Sequence, residues 1–164
     1  MEHHKKLELL HLLHENSRIS IDTMATLLDA DADEIITVIA EFERVGVILR
    51  YSTIIDWDKV ESHRVSAFID VRVTPQREVG FDAIAERIYR FPEVRSVSLM
   101  SGAYDLQVVL DGQDIREIAR FVAEKLSTLE HVISTTTHFL LKTYKSDGVI
   151  FDDQEKDRRL VVAP

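Results

Sequence analysis

The stretch "VSAFIDVRV", residues 65–73, alternates apolar residues with other residues in the way that a half-buried β-strand requires. Proline lacks the N–H that a sheet ladder uses, so Pro75 is expected to end the strand. The pattern therefore predicts a strand that buries one of its faces under another layer. The apolar face comprises Val65, Ala67, Ile69, Val71 and Val73.

The residues that follow predict a helix and a second strand. Apolar residues at helical spacing run from Phe81 to Phe91 and predict an amphipathic helix that ends at Pro92. The segment "VRSVSLM", residues 94–100, then has the composition of a strand. The first strand is thus followed by a helix and another strand.

The same order of strand, helix and strand repeats after Gly102. Apolar residues alternate over 104–110, a second apolar helical face runs over 115–126, and "VISTTTHFLLKTY", residues 132–144, predicts a long last strand. The resulting order, β-α-β-β-α-β, is that of the ferredoxin-like fold. We therefore expect both helices to cover one face of a four-stranded antiparallel sheet.

The uncovered face of that sheet predicts self-association. It carries the alternate residues of each strand, and we expect that set to be substantially apolar. Because monomeric proteins rarely expose large apolar patches, a second copy packed sheet to sheet by two-fold symmetry is the economical arrangement. The sequence therefore predicts at least a homodimer.

The N-terminal third of the chain predicts three short helices and a strand. Ser20 is a candidate N-cap for the second helix, and Asp31 and Glu34 have the spacing of a capping box at the start of the third. Gly46 permits a left-handed stop, after which "VILRYSTII", residues 47–55, is strand-like. This order predicts a winged helix-turn-helix.

The fold class is therefore predicted as α+β, with two folded regions. We expect a helix-turn-helix domain over 1–50, a linking strand and charged linker over 51–64, a ferredoxin-like domain over 65–146, and a C-terminal tail over 147–164. The tail would become ordered only if the apolar residues 160–162 contacted a groove.

Composition excludes several functions. The chain has no cysteine, so it has no disulfide, no catalytic thiol and no cysteine-based zinc site. Its apolar runs are far shorter than the roughly 20 residues of a membrane helix. We therefore expect a cytoplasmic protein without membrane contact. The net charge of −9 gives no overall attraction to nucleic acid, so DNA binding would need a local basic patch or an oligomer.

The sequence shows no recognisable catalytic or metal-binding motif. The five glycines are isolated and form no phosphate-binding loop. His11 and His14 are three residues apart on the first helix but lack the partners of a zinc site. We therefore expect no cofactor, no metal and no catalytic residue.

Four segments in the same order and spacing resemble the leucine-responsive and asparagine-synthetase regulator (Lrp/AsnC) family. They are "ENSRIS" (15–20), "GVILRYSTIID" (46–56), Gly102 to Asp105, and "VISTTTHFLLKTYK" (132–145). The resemblance covers the chain from about residue 5 to residue 145. It implies a bacterial or archaeal transcription regulator with an N-terminal helix-turn-helix and a C-terminal ligand-binding domain called RAM.

The resemblance also implies partners. Members of the family are dimers that often assemble further, commonly into octamers. Their effectors are usually amino acids, bound at interfaces between RAM domains near the loop before the third strand. Here that loop is 100–105, in which Asp105 would hold the ammonium group and nearby backbone N–H groups the carboxylate. The residues expected to contact the effector are Met100, Ser101, Gly102, Ala103, Tyr104, Asp105, Thr135 and Thr137.

The predicted DNA-contacting helix departs from the family pattern. Members of the family usually carry arginines and lysines on the third helix, but no lysine or arginine occurs between Asp29 and Glu43, where six acids occur. Residues 1–50 contain five basic and ten acidic side chains. Since phosphate neutralisation supplies nearly all non-specific affinity for DNA, this acidic helix is poorly suited to bind DNA by itself. The expected DNA contacts are Arg18, Thr37, Val38, Glu41, Arg44 and Arg50.

Three functions remain open from the sequence. The first is a regulator that binds double-stranded DNA and responds to an amino acid. The second is a RAM-domain sensing or assembly protein whose helix-turn-helix has lost or altered DNA binding. The third is an enzyme resembling the sirohaem decarboxylases, which share this two-domain plan.

Overall fold

The computed structural model describes residues 1–60, 64–74 and 80–151 of the chain. The chain divides into two compact units, Met1–Ile55 and Asp56–Pro164. Each unit has its own apolar core. The predicted linker residues 61–63, the expected strand end at Pro75 and the predicted tail beyond residue 151 lie outside the described residues.

The first unit contains three helices: α1 (His3–Glu15), α2 (Ile21–Leu28) and α3 (Ala32–Arg44). One side chain or more from each helix is buried in a common core, because each helix has an apolar stripe at helical spacing. The buried members of this core are Leu9, Met24, Leu28, Ile35 and Val38.

Side-chain caps start two of the helices. The Ser20 hydroxyl accepts a hydrogen bond from the Thr23 N–H at 3.1 Å, which confirms the predicted start of α2. The Asp31 carboxylate caps α3 by accepting from the Asp33 N–H at 2.9 Å. The capping box predicted with Glu34 does not form, because the Glu34 carboxylate pairs with the amino group of Met1 instead.

Helix α3 ends at a glycine, as predicted. Gly46 has φ +75°, a conformation that glycine adopts without steric cost, and the Val47 N–H donates to the Phe42 carbonyl at 2.8 Å. The strand predicted over 47–55 is absent from the structure. An extended segment needs a neighbouring strand to complete its hydrogen bonds, and the described first unit contains no strand.

The second unit has the predicted order of helices and strands. A short 3₁₀ turn over Trp57–Lys59 precedes the sheet, and a π-helical turn over Val122–Leu126 directly follows the second helix of this unit. The elements are β1 (Val65–Val73), α4 (Asp82–Tyr89), β2 (Val94–Leu99), β3 (Leu106–Gly112), α5 (Ile115–Phe121) and β4 (Val132–Phe139). The sheet is antiparallel with strand order β2-β3-β1-β4, which confirms the ferredoxin-like arrangement.

The last strand is shorter than predicted. It ends at Phe139, and the Leu140 N–H donates to the Ser66 carbonyl at 2.9 Å near the beginning of β1. Because β1 begins at Val65, the ladder has no further partner for the residues up to 144. Two very short strands, β5 (Lys145–Ser146) and β6 (Val149–Ile150), then form a separate hairpin.

The two faces of the sheet differ in a way that contradicts the sequence prediction. Alternate residues of β1 are buried in the core that α4 and α5 complete. The opposite face is mainly polar, not apolar, because only Phe68 and Val109 are apolar among its register-paired residues. The polar members are Ser66, Asp70, Arg72, Ser96, Ser98, Gln107, Asp111, Ser134, Thr136 and His138. The apolar-patch argument for a dimer is therefore wrong.

A charged cluster joins three elements at one end of this polar face. The Asp111 carboxylate accepts from Arg64 at 2.8 Å and from the Ser66 hydroxyl at 2.6 Å. Arg95 also approaches both carboxylate oxygens at 3.3 Å, and the Arg64 guanidinium lies 4.5 Å from the centre of the Trp57 ring. Burial alone would raise the pKa of Asp111, but these hydrogen bonds and positive charges hold that pKa below its ordinary value.

We expect Asp111→Asn to lower the free energy of unfolding at pH 7 by on the order of 1 kcal/mol, because it weakens charge-assisted hydrogen bonds that are partly exposed to solvent. A lowered folded-state pKa stabilises the fold above the ordinary pKa of aspartate, and this stabilisation is lost as the pH falls through the folded-state value. Urea unfolding of both proteins at several pH values measures the difference. Asp82→Asn, at an exposed carboxylate, is the control. A difference that persisted undiminished in strong acid would contradict the assignment.

Candidate effector and DNA-contact sites

The loop over residues 100–105 connects β2 to β3. The Met100 N–H donates to the Asp105 carbonyl at 2.8 Å, and the Asp105 N–H donates to the Val71 carbonyl at 3.0 Å. Gly102 has φ +153°, which a residue with a side chain rarely adopts. The loop is therefore closed at its base and exposed over residues 101–103.

Two side chains bond this loop to the end of β1. The Asp105 carboxylate accepts from the Val73 N–H at 2.8 Å, and the Arg72 Nε donates to the Ala103 carbonyl at 2.8 Å. The sheet register pairs Val71 with Leu106, so its continuation places Arg72 opposite Asp105. The described ion pairs include none between these two residues. Each side chain instead bonds the backbone of the other segment.

Asp105 consequently has a structural role in addition to its predicted binding role. Its Oδ2 satisfies a half-buried backbone donor that the ladder no longer pairs, since β3 begins only at Leu106. Within the described chain its Oδ1 has no hydrogen-bond partner. One carboxylate oxygen thus remains open to a ligand, which is compatible with the predicted contact to an ammonium group.

The loop also offers backbone donors. Among the described hydrogen bonds, none uses the N–H groups of residues 101–104. Successive free N–H groups attract anions such as a carboxylate. Tyr104, which the alternation placed in the strand, lies before β3, and its hydroxyl accepts from the Gln107 side chain at 3.1 Å. The loop therefore combines one open carboxylate oxygen with several unused donors.

The predicted threonines lie on the other face of the sheet. Thr135 and Thr137 pair with Val71 and Ile69 in the register, so they share the face that the helices cover. The Thr135 hydroxyl is 3.4 Å from the hydroxyl of Ser127, which directly follows the π-helical turn over Val122–Leu126. Within one chain, the structure does not bring these threonines together with Gln107 on the polar face.

Arg72 is the member of this region that the sequence prediction missed. Its position at the exposed end of a strand was visible in the alternation of residues 65–73. Its bond to Ala103 was not, because that contact joins segments 31 residues apart and depends on the sheet register.

The predicted DNA contacts on α3 are divided by burial. Thr37, Glu41 and Arg44 are exposed at helical spacing on one side of the helix. Val38 is only 5% exposed and packs in the three-helix core. The prediction that Val38 contacts DNA is therefore wrong, because an apolar side chain in that stripe is needed to hold α3 against its neighbours.

Internal contacts engage part of the positive charge of the first unit. Lys6 pairs with Glu41 at 3.3 Å, and the Lys5 ammonium donates to the Asp29 carbonyl at 2.6 Å. The Thr37 hydroxyl donates to the Asp33 carbonyl of its own helix at 2.8 Å. In the described part of the unit, the side chains of Arg18, Arg44 and Arg50 show no ion pair, and they are exposed.

Over 1–60, 64–74 and 80–151, no group of three or more histidines or acids is placed to hold a metal ion. Over the same residues, no helix has both the length and the apolar character needed to cross a membrane.

Comparisons with known proteins match both units. The family model described as the Lrp/AsnC ligand binding domain matches residues 66–150. The uncharacterized HTH-type transcriptional regulator YugG of Bacillus subtilis is 53% identical over 161 residues, which cover 98% of this chain and 97% of YugG. The proline dehydrogenase transcriptional activator of Rhizobium radiobacter is 24% identical over 89% of this chain and 93% of its own length.

Solved structures share the fold. The transcriptional regulator NMB0573 of Neisseria meningitidis, crystallised as a complex with L-Met, superposes with a TM-score of 0.71 at 20% identity and covers 89% of this chain and 93% of its own. AsnC of E. coli superposes with a TM-score of 0.69 at 15% identity, covering 89% of this chain and 96% of its own.

The structural role of Asp105 predicts a difference between two substitutions. Asp105→Ala leaves the Val73 N–H without its acceptor and should lower the free energy of unfolding by about 1–3 kcal/mol. Asp105→Asn keeps an acceptor oxygen at the same position and should cost clearly less. Urea unfolding of the three proteins measures both values. Equal losses in the two variants would show that the bond to Val73 does not stabilise the fold.

Proposed function

The chain belongs to the Lrp/AsnC family and is a transcriptional regulator rather than an enzyme, and we propose that it binds double-stranded DNA and responds to an amino acid at the 100–105 loop. One observation supports the effector site: an open carboxylate oxygen on Asp105 lies in the same loop as several unused backbone N–H groups. These groups complement the ammonium and the carboxylate of an amino acid. NMB0573, which shares the fold, was crystallised with L-Met, and this supports the same ligand class.

For DNA binding, we propose that α2 and α3 act as a helix-turn-helix. The exposed side of α3, with Thr37, Glu41 and Arg44, would face the major groove, and Arg18 and Arg50 would join Arg44 in contacting phosphates. Three arginines per chain supply few phosphate contacts, so useful affinity requires several chains on one DNA.

We propose a homodimer that packs through residues 47–55 rather than through the polar face of the sheet. The segment 47–55 forms no strand, and most of its large side chains are exposed, with Leu49 at 86% and Val47 at 53%. A second copy would shield these side chains and supply a partner for the backbone groups of residues 49–55, which form no described hydrogen bond with other backbone groups.

Charge reversal tests the DNA surface. Arg44→Glu should weaken binding to the promoter DNA of the protein's own gene and reduce the salt dependence, by a slope of about 1 for each phosphate contact removed. Fluorescence anisotropy at several salt concentrations measures both quantities. Arg116→Glu on α5, outside the proposed surface, is the matched control and should bind like the natural protein.

The outcomes separate the two functions left open by the acidic helix. Equal affinity of Arg44→Glu and the control at every salt concentration would place the DNA surface elsewhere. If the natural protein fails to bind at low salt, with or without amino acids, DNA binding is excluded. The engagement of Lys6 by Glu41 and the acidic α3 would then favour a sensing or assembly protein.

Thermal unfolding tests the effector class. L-methionine and L-proline are the first probes, because NMB0573 was crystallised with L-Met and two relatives are named proline dehydrogenase activators. A ligand at 100 times its Kd stabilises the folded state by about 2.7 kcal/mol, which raises Tm by several degrees.

We expect one of the twenty standard amino acids to raise Tm and Asp105→Asn to abolish the shift. That variant keeps an acceptor for Val73 but removes the charge that would bind ammonium. Asp82→Asn, at an exposed carboxylate on α4, should retain the shift. No shift with any amino acid would exclude this effector class, and a full shift in Asp105→Asn would exclude the ammonium contact.

A further inference from the structure

Arg72 has unused hydrogen-bonding capacity beside the loop. Its guanidinium has five N–H donors in a planar fork, and the Nε donor is bonded to the Ala103 carbonyl at 2.8 Å. The two terminal nitrogens have no partner among the described residues, and the side chain is exposed. The bond through Nε fixes the guanidinium at the loop while four donors remain available.

Arg64, Arg95 and His138 on the polar face contact acids outside the 100–105 loop. Arg64 and Arg95 contact Asp111, which pairs with Ser66 near the opposite end of β1. His138 lies 3.0 Å from Asp70. Among the described arginines and lysines, Arg72 is the one with a contact to the 100–105 loop. The guanidinium of Arg72 is therefore the cation available to a negative group of a ligand at this loop.

We propose that Arg72 binds the carboxylate of the effector, together with the unused backbone N–H groups of residues 101–104. Its Nη1 and Nη2 atoms present the end of the guanidinium, which matches the two oxygens of a carboxylate. The open oxygen of Asp105, which the register places opposite Arg72, takes the ammonium. The inference rests on the proposed effector function and deepens it, because it names the group that selects a free α-amino acid over its amide or the corresponding amine.

The arrangement also links binding to the fold. Arg72 bonds Ala103 from β1, and Asp105 bonds Val73 from the loop, so the two residues that receive the ligand also hold the loop to the end of β1. A carboxylate bound by the terminal nitrogens orders the guanidinium without displacing Nε from Ala103. Occupancy of the site thus tightens the connection between the loop and β1.

The test compares an amino acid with its amide. The probe is L-methionine with L-methioninamide, or L-proline with L-prolinamide if proline gives the larger Tm shift, titrated calorimetrically into the full chain. For the natural protein we expect the amide to bind at least about tenfold more weakly than the acid, since a charge-assisted hydrogen bond is lost. In Arg72→Gln the acid should weaken at least about tenfold, and the preference for the acid should fall to near one.

Two further variants control for structure. Arg95→Gln removes another exposed guanidinium from the same sheet and should keep both the affinity and the preference of the natural protein. Arg72→Lys retains a positive charge and should keep a preference for the acid over the amide, which a purely structural role of Arg72 would not predict. This variant also decides the question if Arg72→Gln does not fold.

The outcomes are distinguishable. An unchanged preference for the acid in Arg72→Gln, or its loss in Arg72→Lys with the fold intact, overturns the carboxylate role while the effector function stands. Failure of the natural protein to bind L-methionine, L-proline or any other amino acid overturns the effector function and this inference together.

Discussion

The second unit is organised by β1, which forms ladders along both of its edges. Pairing with β3 and β4 fixes which residues of β1 face the helices, and a shift of one residue would expose that buried set. The ladder to β3 runs out at Val71, so the next free donor, the Val73 N–H, bonds the Asp105 carboxylate. This bond, the bond from the Asp105 N–H to the Val71 carbonyl and the bond from Arg72 to Ala103 together hold the 100–105 loop at the end of β1.

Most of the fold was predictable because local residues decide it. The caps at Ser20 and Asp31, the stop at Gly46 and the alternation of β1 each depend on a few neighbouring residues. The polarity of the uncovered face was also visible in the sequence, since Ser66, Asp70 and Arg72 alternate with the buried residues of β1. The prediction of an apolar face did not take these three polar residues into account. The strand predicted over 47–55 is absent because a strand needs a hydrogen-bonding partner. The residue pattern of one segment does not show whether such a partner exists.

The candidate site was only partly predictable. The loop and Asp105 were found from the resemblance, whereas the bonds of Arg72 and Asp105 to distant backbone groups depend on the register and could not be derived from spacing. Val38 was assigned to the wrong side of α3 because alignment with a family pattern does not account for burial in this core. The pairing of Lys6 with Glu41 further reduces the charge that the first unit can offer to DNA.

We propose that the effector binds the 100–105 loop and stabilises the end of β1 through the bond between Asp105 and the Val73 N–H. Hydrogen exchange of the full chain, resolved by amide and measured with and without the amino acid that stabilises it, detects this effect residue by residue. With the amino acid bound, we expect slower exchange at Val73 and residues 101–104, with α4 and α5 unchanged. Protection confined to other segments, with exchange at the loop and Val73 unaltered, would contradict it.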